Sequence, residues 1–245
     1  ATVVVSGISY LSYLLKRYVF HESGTLVSGI IGGLYSSTAT ISVLARKSRK
    51  ASEQEATDYV AAMLLAVSMM FLRFMILILI FSREIFLSIY PYLLTMAVVA
   101  AIVAWFIHSR QKRPEDQPAE TEEDDSSNPL EFKVALIFAV LFVIFTFLTH
   151  YTLVYAGTGG LNLLSFVSGF SDITPFILNL LQNTGSVAAL IITACSMQAI
   201  ISNIMVNMFY ALFFAGKGSK LRPWILGGFG VVITCNLVLL LFFYI

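Results

Sequence analysis

Asp172 is the one carboxylate set deep in an apolar segment, in the stretch Ser168-Gly-Phe-Ser-Asp-Ile-Thr-Pro-Phe-Ile-Leu-Asn-Leu-Leu181. An ionisable group at membrane depth is costly and reads first as a functional site. Ser171, Thr174 and Asn179 stand close by, and Pro175 removes a backbone donor, which frees a carbonyl that something must satisfy. A second polar stretch, Ser28-Gly-Ile-Ile-Gly-Gly-Leu-Tyr-Ser-Ser-Thr-Ala-Thr40, brings the hydroxyls of Ser36, Ser37 and Thr38 together. Asn203 and Asn207 are one helical turn apart and share a face. Hydroxyl, amide and carbonyl oxygens with one carboxylate are hard ligands, suited to H⁺, Na⁺, Mg²⁺, Ca²⁺ or Mn²⁺. Asp172 is the residue expected to face a metal ion.

Arg73 is the other charge least able to reach water. The two charges are expected to face one interior, paired directly or through water, with Arg73 as charge partner and gate. Its presence leaves an anion open as the substrate. The same residues also have a plainer reading. Gly29, Gly32, Gly33, Ser36 and Ser37 let helices approach closely, and Asp172 could be an N-terminal helix cap. Catalysis finds no support. There is no His-Glu-x-x-His pattern, no P-loop and no second deep carboxylate, and the Ser-Ser-Thr run lacks a nearby Lys or His base. No motif calls for a cofactor.

These residues need elements that cross a lipid bilayer. Of the 245 residues, 58% are hydrophobic and 12% are charged. A soluble domain cannot cover that much apolar surface. At about 20 apolar residues per crossing helix, the chain has room for roughly eight. The apolar segments fall near residues 2–18, 25–45, 57–81, 85–108, 131–155, 161–181, 187–214 and 223–245. Segment seven is long and interrupted by Ser202, Asn203 and Asn207, so it is expected to tilt or break. Arg46, Lys47, Arg49 and Lys50 follow segment two, and Arg110, Lys112 and Arg113 follow segment four. By the positive-inside rule both clusters are cytoplasmic. Residues 114–129, rich in acids, Ser and Pro, read as a disordered cytoplasmic linker. A net charge of +1 points to no nucleic-acid partner. Cys195 and Cys235 read as reduced, buried thiols.

The halves on either side of the linker resemble each other. Gly33-Leu-Tyr-Ser-Ser-Thr38 aligns with Gly169-Phe-Ser-Asp-Ile-Thr174, so Ser36 falls opposite Asp172 and Thr38 opposite Thr174. Phe71-Leu-Arg73 aligns with Met205-Val-Asn207, and Tyr90-Pro-Tyr-Leu-Leu94 with Arg222-Pro-Trp-Ile-Leu226. The expected organisation is therefore an all-α polytopic membrane protein of about eight transmembrane helices in two four-helix repeats, 1–113 and 130–245. Four crossings per unit give parallel repeats, whereas one segment that only dips into the bilayer gives inverted ones.

Gly32-Gly-Leu-Tyr-Ser-Ser-Thr-Ala-Thr-Ile-Ser-Val-Leu-Ala-Arg46, with Ser6-Gly-Ile-Ser-Tyr10, Asn128-Pro-Leu-Glu131, Ser168-Gly-Phe-Ser-Asp172 and Ser202-Asn203, resembles the C-terminal membrane domain of unknown function in bacterial MgtC/SapB-type inner-membrane proteins. The resemblance spans nearly the whole chain. It implies a multi-pass protein of the bacterial inner membrane, preceded in the full-length chain by an MgtC-type domain, and it points towards metal-ion physiology. The start at Ala1, without Met, fits a fragment of such a chain. The expected function is a transporter or channel domain for a small cation, with a polar site between segments two and six at mid-membrane. The alternative is a non-transporting module that binds and regulates an ion pump or other membrane partner. Exposed small-residue faces are compatible with a homodimer.

Overall fold

The structure, a computed structural model, describes residues 24–49, 51, 53–110, 132–170, 172–182, 188–216 and 219–244. Segment one, the acidic linker and Ser171 lie outside the described residues. Seven helices fill the rest: α1 (Thr25–Lys47), α2 (Glu53–Phe81), α3 (Arg83–Ser109), α4 (Phe132–Ser168), α5 (Ile173–Gln182), α6 (Ala189–Ala215) and α7 (Arg222–Tyr244). No strand occurs among the described residues. Five helices, α1, α2, α3, α6 and α7, have the length and apolarity to cross a membrane. The outward faces of α3, α4 and α7 carry Leu87, Trp105, Val154, Tyr155 and Phe242, all exposed as a lipid surface requires. The chain is a multi-pass helical membrane protein.

α2 and α3 form an antiparallel hairpin joined by a single residue. Ser82 is extended (φ −155°, ψ 105°), and its hydroxyl accepts the Ile85 N–H, capping α3. Ser68 Oγ donates to the Ala97 carbonyl at 2.8 Å, and His108 Nδ1 meets Asp58 Oδ1 at 2.6 Å, so the two helices run side by side over their whole length.

The same corner recurs inside α1. Ser36 has φ −156° and ψ 108°, and its hydroxyl accepts the Ala39 N–H. The chain folds back there. A Cβ on Gly32 would lie 2.5 Å from Thr40 Oγ1, whereas residues eight apart in a straight helix are about 12 Å apart along the axis. The ascending half runs parallel to α2, with Gly29 against the Ala62 backbone and Gly33 against the Ala66 backbone. The returning half leads back to the start of α2. Segment two is thus a half-membrane hairpin whose tip is Ser36; its two limbs together have the apolar length of a crossing, but they lie side by side.

Segment six does the same from the other face. Gly157 (φ 58°, ψ −149°) turns the chain at the end of the first limb of α4, in the gap between segments five and six. The limb that follows runs parallel to α6, with Asn162 beside Cys195, Ser165 beside Gln198 and Gly169 against Ser202. After the break at 169–172, α5 must return towards the face it came from. With Ser202 level with Gly169, Ala189 lies about 20 Å further out. The six residues from Gln182 to Ala188 span roughly 20 Å at most. Had α5 continued inward, the gap would be about 35 Å. Asn179 on α5 donates to Thr146 Oγ1 at 2.7 Å, which keeps α5 beside the middle of α4's first limb.

Of the two outcomes expected for segment seven, the break does not occur; α6 is one helix of 27 residues, in which Ser202 and Asn203 bond to the neighbouring hairpin and Asn207 bonds to Asn203. The carbonyl that Pro175 is expected to free does not arise. Pro175 sits in the first turn of α5, where its missing N–H interrupts nothing.

Candidate functional site between two hairpin tips

Following the helices from face to face places the tips. Arg46, Lys47, Arg49, Arg110, Lys220 and Arg222 all sit at one end of the bundle. Arg83 sits at the other. Hairpin one, which is α1, starts and ends at the basic face. Its base is fastened to the end of α6: Arg49 Nε donates to the Phe214 carbonyl, Arg49 Nη2 donates to the Phe213 carbonyl at 3.2 Å, and the Arg46 guanidinium lies over the Phe214 ring. Hairpin two, from the second limb of α4 through α5, starts and ends at the far face. The tips meet near the middle.

Each tip exposes helix ends that need partners. Arg73 joins the two. Its Nη1 donates to the Tyr35 carbonyl at 2.7 Å, closing the C-terminal end of the ascending limb of hairpin one. Its Nη2 donates to Thr174 Oγ1 at 3.2 Å, in the first turn of α5. Asp172 Oδ1 accepts the Thr174 N–H at 2.9 Å, so it caps α5 as Ser36 caps the returning limb of hairpin one. Ser202 Oγ donates to the Phe166 carbonyl at 2.6 Å, and Asn203 Nδ2 donates to the Gly169 carbonyl at 3.2 Å, closing the C-terminal end of the descending limb. Asn207 Nδ2 donates in turn to Asn203 Oδ1 at 3.1 Å.

Of the two arrangements expected for Arg73 and Asp172, the direct one is not formed, while both charges do face one interior. Both line the same space, but no ion pair joins them. The physical reason lies in the broken helices. The guanidinium bonds to the Tyr35 carbonyl and to Thr174 Oγ1, while the carboxylate is held at the end of its own helix.

A cavity of about 360 Å³ lies between the tips. Ser36, Ser37, Thr38, Arg73, Asp172 and Asn203 line it, so six sequence-selected residues from both halves come together. Thr174 and Asn207 stand behind this wall, as partners of Arg73 and Asn203. The cavity extends towards the basic face, where the lining includes Ser42 and Tyr210. Sequence reasoning missed both. Ser42 continues the hydroxyl series two turns below Ser36, a usable signal. Tyr210 looks like any interfacial aromatic. Towards the far face, Phe74, Phe176 and Leu178 are fully buried and fill the space. Among the described residues, no three His, Cys, Asp or Glu side chains come close enough to hold a metal ion. A cation here would rest on Asp172 and neutral oxygens.

Fold and site together define a polytopic helical membrane protein built on two half-membrane hairpins that meet at a polar centre. The chain belongs to the family described as "Domain of unknown function (DUF4010)", which matches residues 3–215. It is also similar to an uncharacterized protein of Aquifex aeolicus (strain VF5), 24% identical over 227 residues that cover 90% of this chain and 96% of that protein. No solved structure matches it.

Proposed function

We propose that this chain is a membrane transport domain for a small cation, working as a carrier between two openings. The observation that supports the reading is the tip-to-tip meeting of hairpins from opposite faces around a polar cavity. Irregular backbone at membrane depth is tolerated where it lines such a cavity, and broken helices in opposed repeats are a recurrent way to build a carrier site. Asp172 supplies the charge; Ser36, Ser37, Thr38 and Asn203 supply neutral oxygens. Arg73 holds the two tips in register. The units are residues 1–113 and 130–245, joined by 114–129 and inverted relative to each other.

The basic face is cytoplasmic by the positive-inside rule, so the cavity described above opens inward. A bacterial inner membrane, and an MgtC-type domain ahead of this one in a full-length chain, follow from the sequence resemblance. The competing reading, a module that regulates an ion pump, is served better by a dry, tightly packed centre than by a cavity lined with hydroxyls and two charges.

Cation flux into liposomes containing the purified protein tests the proposal. Asp172→Asn keeps a good helix cap while removing the charge. Flux is expected to fall at least tenfold (about 1.4 kcal/mol) with the melting temperature nearly unchanged. Equal flux in wild type and variant would remove Asp172 from the mechanism.

A further inference from the structure

The cavity has two unlike poles, and one is not built for a cation. Asp172 puts a carboxylate at the N-terminal end of α5, where the helix dipole favours negative charge. The corresponding end in hairpin one, the 11-residue limb that starts at Ser37, is capped only by the neutral Ser36 hydroxyl. That end keeps its positive dipole and its unshared backbone N–H groups. Arg73 stands beside it with a full positive charge, and its Nε has no partner among the described residues.

Ser37 adds an independent sign of a ligand. It is 4% exposed, lines the cavity, and its hydroxyl has no hydrogen-bond partner among the described residues. A helix N-terminus, an idle buried hydroxyl and a guanidinium on one wall form the donor set that recognises an oxyanion. The volume agrees. About 360 Å³ is at the lower end of small-molecule pockets and far above the roughly 30 Å³ that one water occupies in the liquid.

We propose that the cavity takes a small oxyanion, a carboxylate or a phosphate group, between Arg73 and the Ser37–Thr38 end of hairpin one, alongside the cation that faces Asp172. The inference rests on the transport reading and extends it. A cation entering alone meets the fixed charge of Arg73, and an anion entering alone meets Asp172. A cation and an oxyanion of equal and opposite charge, loaded together, leave the centre with the same net charge as the empty cavity, which avoids stranding an uncompensated charge there.

The test separates this from the transport reading by measuring binding apart from flux. Thermal unfolding of the purified chain in nanodiscs is followed against sodium succinate, sodium phosphate and sodium chloride at matched sodium and ionic strength. Succinate or phosphate is expected to raise the melting temperature with a saturating midpoint, and chloride is not. Arg73→Gln is expected to weaken that midpoint at least tenfold and Ser37→Ala at least threefold. If Arg73→Gln does not fold, Arg73→Lys together with Ser37→Ala carries the same test. No shift with either oxyanion, an equal shift with chloride, or midpoints untouched by Ser37→Ala would overturn the proposal, whatever the flux assay gives. Saturable oxyanion binding in a protein without cation flux would keep the site and overturn the transport reading instead.

Discussion

The two hairpins solve one problem by different means. Each must press a broken helix against a long neighbour, α2 for the first and α6 for the second. Contacts 33 residues apart recur in both: Gly29 with Ala62 and Gly33 with Ala66, then Ser165 with Gln198 and Gly169 with Ser202. Shifting the first set by 136 residues gives the second. Hairpin one achieves contact by removing side chains, glycine against alanine backbone, and its turn is the single residue Ser36. Hairpin two keeps its polar side chains and satisfies them across the helix pair: Ser165 with Gln198, Ser202 with Phe166, Asn203 with Gly169. Its turn is longer and carries Asp172. Close packing thus accompanies the neutral tip, and a hydrogen-bonded seam accompanies the charged one. The charged tip sits beside neighbours whose polar groups are already held in place, which a glycine–alanine seam cannot offer.

The sharpest way to break this comparison is to ask where the hairpin ends lie. Gly24→Cys and Lys47→Cys are expected to react with an impermeant maleimide from the same side of the membrane. Gly159→Cys and Gln182→Cys are expected to react from the opposite side. A simple crossing by either segment would split its pair between the two sides, an all-or-none difference.

A smaller effect distinguishes the two seams. A Cβ on Gly33 would lie 2.5 Å from Ala66 Cα, and one on Gly169 would lie 2.8 Å from the Asn203 backbone nitrogen. Gly33→Ala and Gly169→Ala are each expected to cost about 1–3 kcal/mol in thermal unfolding, through overpacking. Gly227→Ala, with nothing within 4 Å of its Cβ, is the control and is expected to stay within about 0.5 kcal/mol of wild type. Equal melting temperatures for all three would mean that hairpin one does not sit against α2 as described.

The smallest effect tests the turn itself. Ser36→Ala and Ser82→Ala each remove the cap of the helix that follows and should cost about 1 kcal/mol apiece. Ser36→Ala should in addition slow cation flux, because its cap faces the cavity; Ser82→Ala should not. Matching flux in the two variants would show that the tip geometry does not matter for transport.

Much of this was legible in residue types. Apolar runs located the helices, and the repeat set Ser36 opposite Asp172, the two residues that cap the tips. Arg73, Asp172, Asn203 and the Ser-Ser-Thr run converge because polar groups at membrane depth have nowhere else to go. The fold-back of segment two was not legible. Its corner is one serine in an extended conformation that any residue can adopt, with neither glycine nor proline to mark it. The same corner at Ser82 separates two complete crossings, so local sequence cannot distinguish a half-membrane hairpin from a full one. The distinction depends on what lies beyond each limb. Pro175 makes a related point: a proline frees a carbonyl in a helix interior, but here it only helps to begin a helix.

The clamp of Arg49 on the end of α6 joins residues 165 positions apart in the chain. That separation sets a timetable. When hairpin one emerges during synthesis, α2 is the next element to reach it, while the second wall of its tip does not yet exist. The polar tip must wait in the membrane, its Tyr35 carbonyl held by Arg73, until the whole second half has been made and inserted. Completion of the centre therefore follows the synthesis of α6. A lesion in α6 is expected to leave an inserted, correctly oriented first half that cellular quality control meets as an unfinished protein.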